Sequence, residues 1–107
     1  MSQRDKKLIR ENFRNTVFAR DKNRCVMCGI SSMFIKLDAH HVTDRKEIIN
    51  GGYVMENGIS LCPECHKKAE MFHDTGKAYP GYAPEDLYKA IKSSKELAIE
   101  ASRKLEG

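Results

Sequence analysis

Two Cys-x-x-Cys pairs use every cysteine in this chain: Cys25-Val26-Met27-Cys28 and Cys62-Pro63-Glu64-Cys65. Such a turn aims two thiolates at one point, and two turns complete a tetrahedral Zn–S4 site. Gly29 after the first pair and Pro63 inside the second suit tight turns. The 33 residues between Cys28 and Cys62 exceed a plain zinc ribbon, so further structure is inserted between the halves. A redox dithiol needs only one such pair, at a helix start within a βαβ pattern. With 107 residues, 40% hydrophobic and no Trp, the chain makes one domain with a thin core, a class that leans on a metal clip. Its opening segment, MSQRDKKLIRENFR, has no apolar stretch of the secretory kind. No run approaches the roughly 18 apolar residues that span a bilayer. A cytoplasmic, non-secreted protein without membrane contact is expected, and a reducing compartment keeps the thiols free for metal.

Ile9, Phe13 and Val17 recur every four positions and predict a helix over 4–20. Asp21-Lys22-Asn23 reads as a turn, residues 34–42 as a strand, and 43–57 as a long polar loop. Gly58–Leu61 is a short strand, and the second cysteine pair opens a helix over about 63–72. After a loop with Gly76, Pro80, Gly81 and Pro84, a last helix runs from 84 to about 105. Its stripe of Leu87, Ile91, Ala98, Ala101 and Leu105 is narrow enough for the core to absorb, so a monomer is expected. Phe13, Phe18 and Phe34 are assigned to the core, and Tyr79 and Tyr82 to packing of the return loop. His73 and Asp74 read as an exposed helix end.

The net charge of +4 is unevenly spread. Residues 1–24 carry eight basic and three acidic residues, while 84–107 carry five of each. The basic end fits a polyanion partner through Arg4, Lys6, Lys7 and Arg10. It also fits a solvated helix face. Arg45 and Lys46 stand between the same two readings.

Four histidines remain, two of them in the inserted region and two just after the second cysteine pair. His40 and His41 are adjacent on a strand, so they face opposite ways and suit different jobs. His66 and Glu70 are four apart on a helix and share a face. Phosphodiester hydrolysis needs an activated water and a positive charge to offset the phosphate. His40, His66 and Glu70 or Asp38 are candidates for a cation site, and His41 for a general base near an ordinary imidazole pKa of about 6.5. Extra zinc ligation or a surface role is the bland alternative.

Leu37-Asp38-Ala39-His40-His41-Val42, Asn57 in Glu56-Asn57-Gly58-Ile59-Ser60-Leu61, and Cys62-Pro63-Glu64-Cys65-His66 together resemble the HNH endonucleases. Arg20–Gly29 resembles the segment preceding the motif in the zinc-containing subgroup, and the whole chain resembles small phage-type members. The resemblance implies an α+β fold: a zinc-stabilised ββα-metal finger, core about 13–72, flanked by an N-terminal helix and a C-terminal helical extension over about 84–106. It implies a single nuclease domain over 1–107, acting on double-stranded DNA rather than RNA in a bacterial or phage-infected cell. His41 matches the general base. His40 and His66 match ligands of a catalytic cation (Mg, Mn, Ni or Zn). Asn57 matches the central Asn, which either ties the loop or ligates the metal. Cys25, Cys28, Cys62 and Cys65 match a structural zinc site. Many members have a further His where this chain has Glu70, a candidate oxygen ligand. A zinc-stabilised nucleic-acid-binding or assembly protein without catalysis is the alternative of a different class.

Overall fold

The computed structural model describes residues 3–105, with side chains from residue 6 onward; the Arg4 side chain lies outside the described residues. In chain order the elements are helix α1 (Gln3–Arg20), strand β1 (Asp38–His41), strand β2 (Gly58–Leu61) and helices α2 (Pro63–Thr75), α3 (Pro84–Ala90) and α4 (Lys95–Arg103). Three short 3-10 turns, at Arg45–Glu47, Ile49–Gly52 and Met55–Asn57, fold the segment between the strands. The fold is a small α+β domain with one two-stranded antiparallel sheet among the described residues. No described helix is long and apolar enough to cross a membrane.

The helical stripe on α1 packs as its spacing requires, with Phe13 and Val17 buried against the sheet. Gly58 permits the close approach. A Cβ there would lie 2.7 Å from Phe13 Cε1 and nearer still to Val17, so any side chain would push α1 off β2. At the end of α1, Arg20 donates to both Asp21 carboxylate oxygens at 2.8 Å. It also donates to the backbone carbonyls of Met55 and Gly58, and Asp21 Oδ2 accepts from the Ser60 amide at 3.0 Å. These charge-assisted bonds tie the first helix to the second strand.

The strands pair Asp38 with Leu61, Ala39 with Ser60, His40 with Ile59 and His41 with Gly58. The strand expected over 34–42 is shorter because its partner is. β2 has only four residues before Cys62 turns into α2, so residues 34–37 find no ladder to join. Phe34, assigned to the core from sequence, is instead 79% exposed at the end of a turn in which its amide donates to Ser31 O. Phe13 is buried and Phe18 packs at the core margin, as expected. Ile59, Leu61, Val42 and Leu37 fill the centre.

The helix expected from 84 to about 105 is two helices. Lys92 takes a left-handed conformation (φ 57°), and the Ser94 hydroxyl accepts from Leu97 N at 3.1 Å to cap a new start. The break lets Leu87 and Tyr88 bury on one side of it and Ala98 and Ser102 on the other. The segment is stitched to the inter-strand loop. Ser93 Oγ donates to Glu56 O at 2.7 Å, Ser102 Oγ accepts from Gly52 N at 3.1 Å, and Asn50 Nδ2 donates to the Ser102 and Leu105 carbonyls.

Candidate functional site

Cys25 follows the turn after α1, Cys28 lies three residues on, Cys62 caps α2 and Cys65 sits in its first turn. Their four sulfurs lie within 4.8 Å of one another, and Cys28 and Cys62 are 3.6 Å apart. A tetrahedron with Zn–S of about 2.3 Å has S···S edges of about 3.8 Å. The cluster therefore fits a structural zinc ion. Its electrostatics agree. Cys65 is pushed up to about 12 by burial and the neighbouring thiols, against a hydrogen bond from Tyr82. Cys25 is buried too, but backbone amides of Cys62, Cys28 and Met27 bring it down to about 7. Four thiolates cannot share so small a space without a cation among them. The Tyr82 hydroxyl, 3.2 Å from Cys65 Sγ, orients that sulfur.

On β1, the strand alternation separates the two adjacent histidines. His40 faces α2. Its ring stacks on His73 (centroids 5.1 Å, 23°) and meets His66 edge-on at 5.1 Å. His41 faces α1, stacked on Phe13 at 4.4 Å with Tyr53 edge-on at 4.8 Å.

His40 is 2% exposed, and neither ring nitrogen has a hydrogen-bond partner among the described residues. Glu70 Oε1 lies 3.3 Å from Nδ1 without the alignment a hydrogen bond needs. Nor is the contact an ion pair, since burial and the neighbouring histidines lower the His40 pKa to about 3 and leave it neutral. A buried nitrogen without a partner is costly unless something else occupies it. His40, Glu70 and His73 each offer a ligand atom within 4.8 Å of the others. The donor set, two imidazoles and a carboxylate, fits a divalent cation. His73 Nε2 donates to His41 O at 3.0 Å, which leaves Nδ1 as the ring atom free to face the cluster. His66 stands beside this trio, with Nε2 3.2 Å from Glu70 Oε1 and Nδ1 3.2 Å from Asp38 Oδ2.

His66, Glu70 and His73 follow the i, i+4, i+7 pattern of one helix face. The helix expected to end near residue 72, with His73 exposed just past it, is longer. α2 runs on to Thr75, and His73 is half-buried against the site. Gly76, left-handed at φ 80° with its amide on Phe72 O, was the readable stop signal.

His41 Nε2 is also buried without a partner. Burial, reinforced by the Arg45 guanidinium, lowers the His41 pKa to about 4, well below the ordinary imidazole value expected from sequence. The ring is therefore neutral at pH 7.

Asn57 is fully buried and spends its amide on backbone. Nδ2 donates to the Thr43 and Gly52 carbonyls, and Oδ1 accepts from Thr43 N at 2.9 Å and Tyr88 Oη at 2.7 Å. Of the two roles open to it, tying the loop is the one these bonds perform. Asn57→Ala strands several buried groups at about 1–3 kcal/mol each, so a loss of about 3 kcal/mol or more is expected. Tyr88→Phe removes one hydroxyl and costs about 1 kcal/mol. Thermal melts check both, at about 4–8 °C per kcal/mol for a domain near this size.

The histidines open into a groove of about 1730 Å³. Lys6, Lys7 and Arg10 of α1 and Arg45 and Lys46 of the loop line it, as does Tyr53. Arg14 and Lys36 line it too. Neither is among the basic residues expected to meet a polyanion, although Arg14 is one turn from Arg10 on the same helix face. Against these seven cations stand Glu11, Asp38, Asp44 and Glu70, two of which contact His66. The groove thus joins a positive lining to neutral imidazoles and a candidate cation site.

Neither the curated proteins nor the solved structures contain a match to this chain. Residues 25–71, the span from the first knuckle cysteine to the middle of α2, match the family model described as HNH endonuclease, and the four cysteines that bracket and close this span cluster as a zinc knuckle does.

Proposed function

We propose that this protein is a metal-dependent endonuclease that hydrolyses phosphodiester bonds of double-stranded DNA, one strand per encounter. The observation that carries the reading is the pair of neutral histidines on opposite faces of β1, His40 buried and His41 half-buried, with buried nitrogens unpartnered and both rings lining one basic groove. Arg10, Arg45 and the neighbouring lysines hold the phosphate backbone. The His41 imidazole takes the proton of an attacking water on a ring nitrogen that no protein group occupies. The water oxygen bonds to phosphorus and the P–O3′ bond breaks, leaving a 5′-phosphate and a 3′-hydroxyl that gains its proton from solvent. Phe13 and Tyr53 fix the plane of the His41 ring, and Asn57 fixes the loop that follows it. His40, Glu70 and His73 would hold the divalent cation, with His66 and Asp38 beside them. The bound cation offsets the charge that develops on the phosphate and the leaving oxygen. Two imidazoles with one carboxylate suit Mn or Ni better than Mg.

The chain offers one such site among its described residues, so a double-strand break needs two protomers or two independent nicks. The protein acts as a monomer, in the reducing cytoplasm that keeps its knuckle thiols metal-bound. Incubating supercoiled plasmid with the zinc-loaded protein and Mg, Mn, Ni or Zn tests the reading. Open-circular DNA should accumulate before any linear form. No nicking with any of the four metals would remove the proposal. Binding should also fall steeply with salt. About five phosphate contacts, from Lys6, Lys7, Arg10, Arg45 and Lys46, lower affinity by about 10²–10³ between 50 and 200 mM. Fluorescence anisotropy of a labelled duplex measures this, and a flat response would sever the groove from the phosphate backbone.

A further inference from the structure

Met33 and Phe34 are the most exposed large apolar side chains of the described residues, at 86% and 79%. Single exposed apolar residues are ordinary, but two adjacent ones this bare are not. Both line the basic groove, alongside Lys36, Arg10 and His41. Their turn is also held firmly. Ser32 N donates to Asn23 O at 2.8 Å, Phe34 N to Ser31 O at 3.0 Å and Met33 N to Ser31 Oγ at 3.1 Å. Cys25 N donates to Ile30 O at 2.9 Å, which anchors the turn's start to the zinc knuckle. A rigid apolar tip on a positively charged wall is built to meet a ligand that is anionic outside and flat and apolar within. A nucleic acid has that construction, with phosphates outside and stacked bases inside.

We infer that Met33 and Phe34 form a wedge that enters the base stack of the nucleic acid held in the groove, unstacking one step near the phosphate presented to His41. The inference rests on the nuclease reading and adds a source of selectivity to it. Apolar side chains inserted between bases pay the unstacking cost most easily at flexible pyrimidine–purine steps and at mismatches. The protein therefore favours such steps without reading base edges.

The test uses the full zinc-loaded chain, with no Mg or Mn added, and duplexes carrying 2-aminopurine at a TA step. The comparison is the double variant Met33→Ser, Phe34→Ser. Because both side chains lie outside the core, its melting temperature should match the wild type. The wild type should raise 2-aminopurine fluorescence several-fold, and the variant should not. Affinity should drop about tenfold in the variant, the usual worth of a stacking side chain, with the salt slope unchanged because the phosphate contacts remain. Equal fluorescence and equal affinity would overturn the wedge and leave the nuclease reading standing. A wild type that binds no duplex would remove both. If the variant instead shifts the sedimentation coefficient and leaves DNA binding alone, the tip is a contact between protein chains and the inference is wrong.

Discussion

Stripping zinc from this protein should unfold it. Binding of a structural zinc ion supplies on the order of 10–16 kcal/mol, as much as the whole stability of an ordinary domain. Here the ion would join the turn after α1 to the start of α2, with Cys28 and Cys62 already 3.6 Å apart. Without it, buried thiols crowd one another, and the core keeps only a few large apolar side chains, chief among them Ile59, Leu61 and Leu87. Cys62→Ser isolates the effect. Cys62 caps α2 by accepting from Cys65 N, and serine caps a helix at least as well, so what the variant loses is the metal ligand. Circular dichroism should show the variant, or chelated wild type, unfolded or melting without cooperativity at 25 °C. Metal analysis of the wild type should find about one zinc per chain, as a four-thiolate site requires. A chelated protein that melts as cooperatively as the zinc-loaded one would show that the knuckle does not hold the fold.

Replacing His41 should do the opposite, removing cleavage while leaving the fold. A general base contributes about 10²–10⁴-fold to rate, so plasmid nicking by His41→Gln should fall at least a hundredfold. His41 is half-buried. It is wedged between Phe13 and Tyr53, and truncation to Ala would leave a gap costing about 1 kcal/mol or more. Gln keeps most of the volume, so zinc content and melting should stay close to wild type. His40→Gln and His73→Gln should also lose cleavage, but part of it should return at high Mn or Ni concentration if, as proposed, those residues hold the cation. A His41→Gln protein that nicks at the wild-type rate would remove His41 as the base, and metal rescue of His41→Gln would move it among the ligands.

The parts of this architecture that lay open in the sequence are those governed by short-range rules. Cysteine spacing gave the knuckle, a four-residue apolar period gave α1, and Pro63 after Cys62 gave the start of α2. What stayed hidden depends on partners distant in the chain. Nothing in residues 34–37 reveals that β2 will be too short to pair with them, so Phe34 looked like core. The break at Lys92–Ser94 has neither Gly nor Pro to announce it. It exists because Leu87 and Ser102 bind different parts of the domain. His73 was missed by one helical turn, and that turn carries it from solvent to a place beside His40. The histidine pKa values were equally out of reach, since they follow from burial that only the packed chain creates.

The bonds from Tyr88 to Asn57 and from Ser102 to the Ile49–Gly52 turn also set an order of events during synthesis. The knuckle, both strands and α2 leave the ribosome before residues 84–105 do, and domains take shape as their segments emerge. Until Tyr88 arrives, Asn57 holds the loop after His41 through Thr43 and Gly52 alone, one bond short of its final set. The loop beside His41 thus reaches its full set of bonds last, when the segment carrying α3 and α4 folds back onto it.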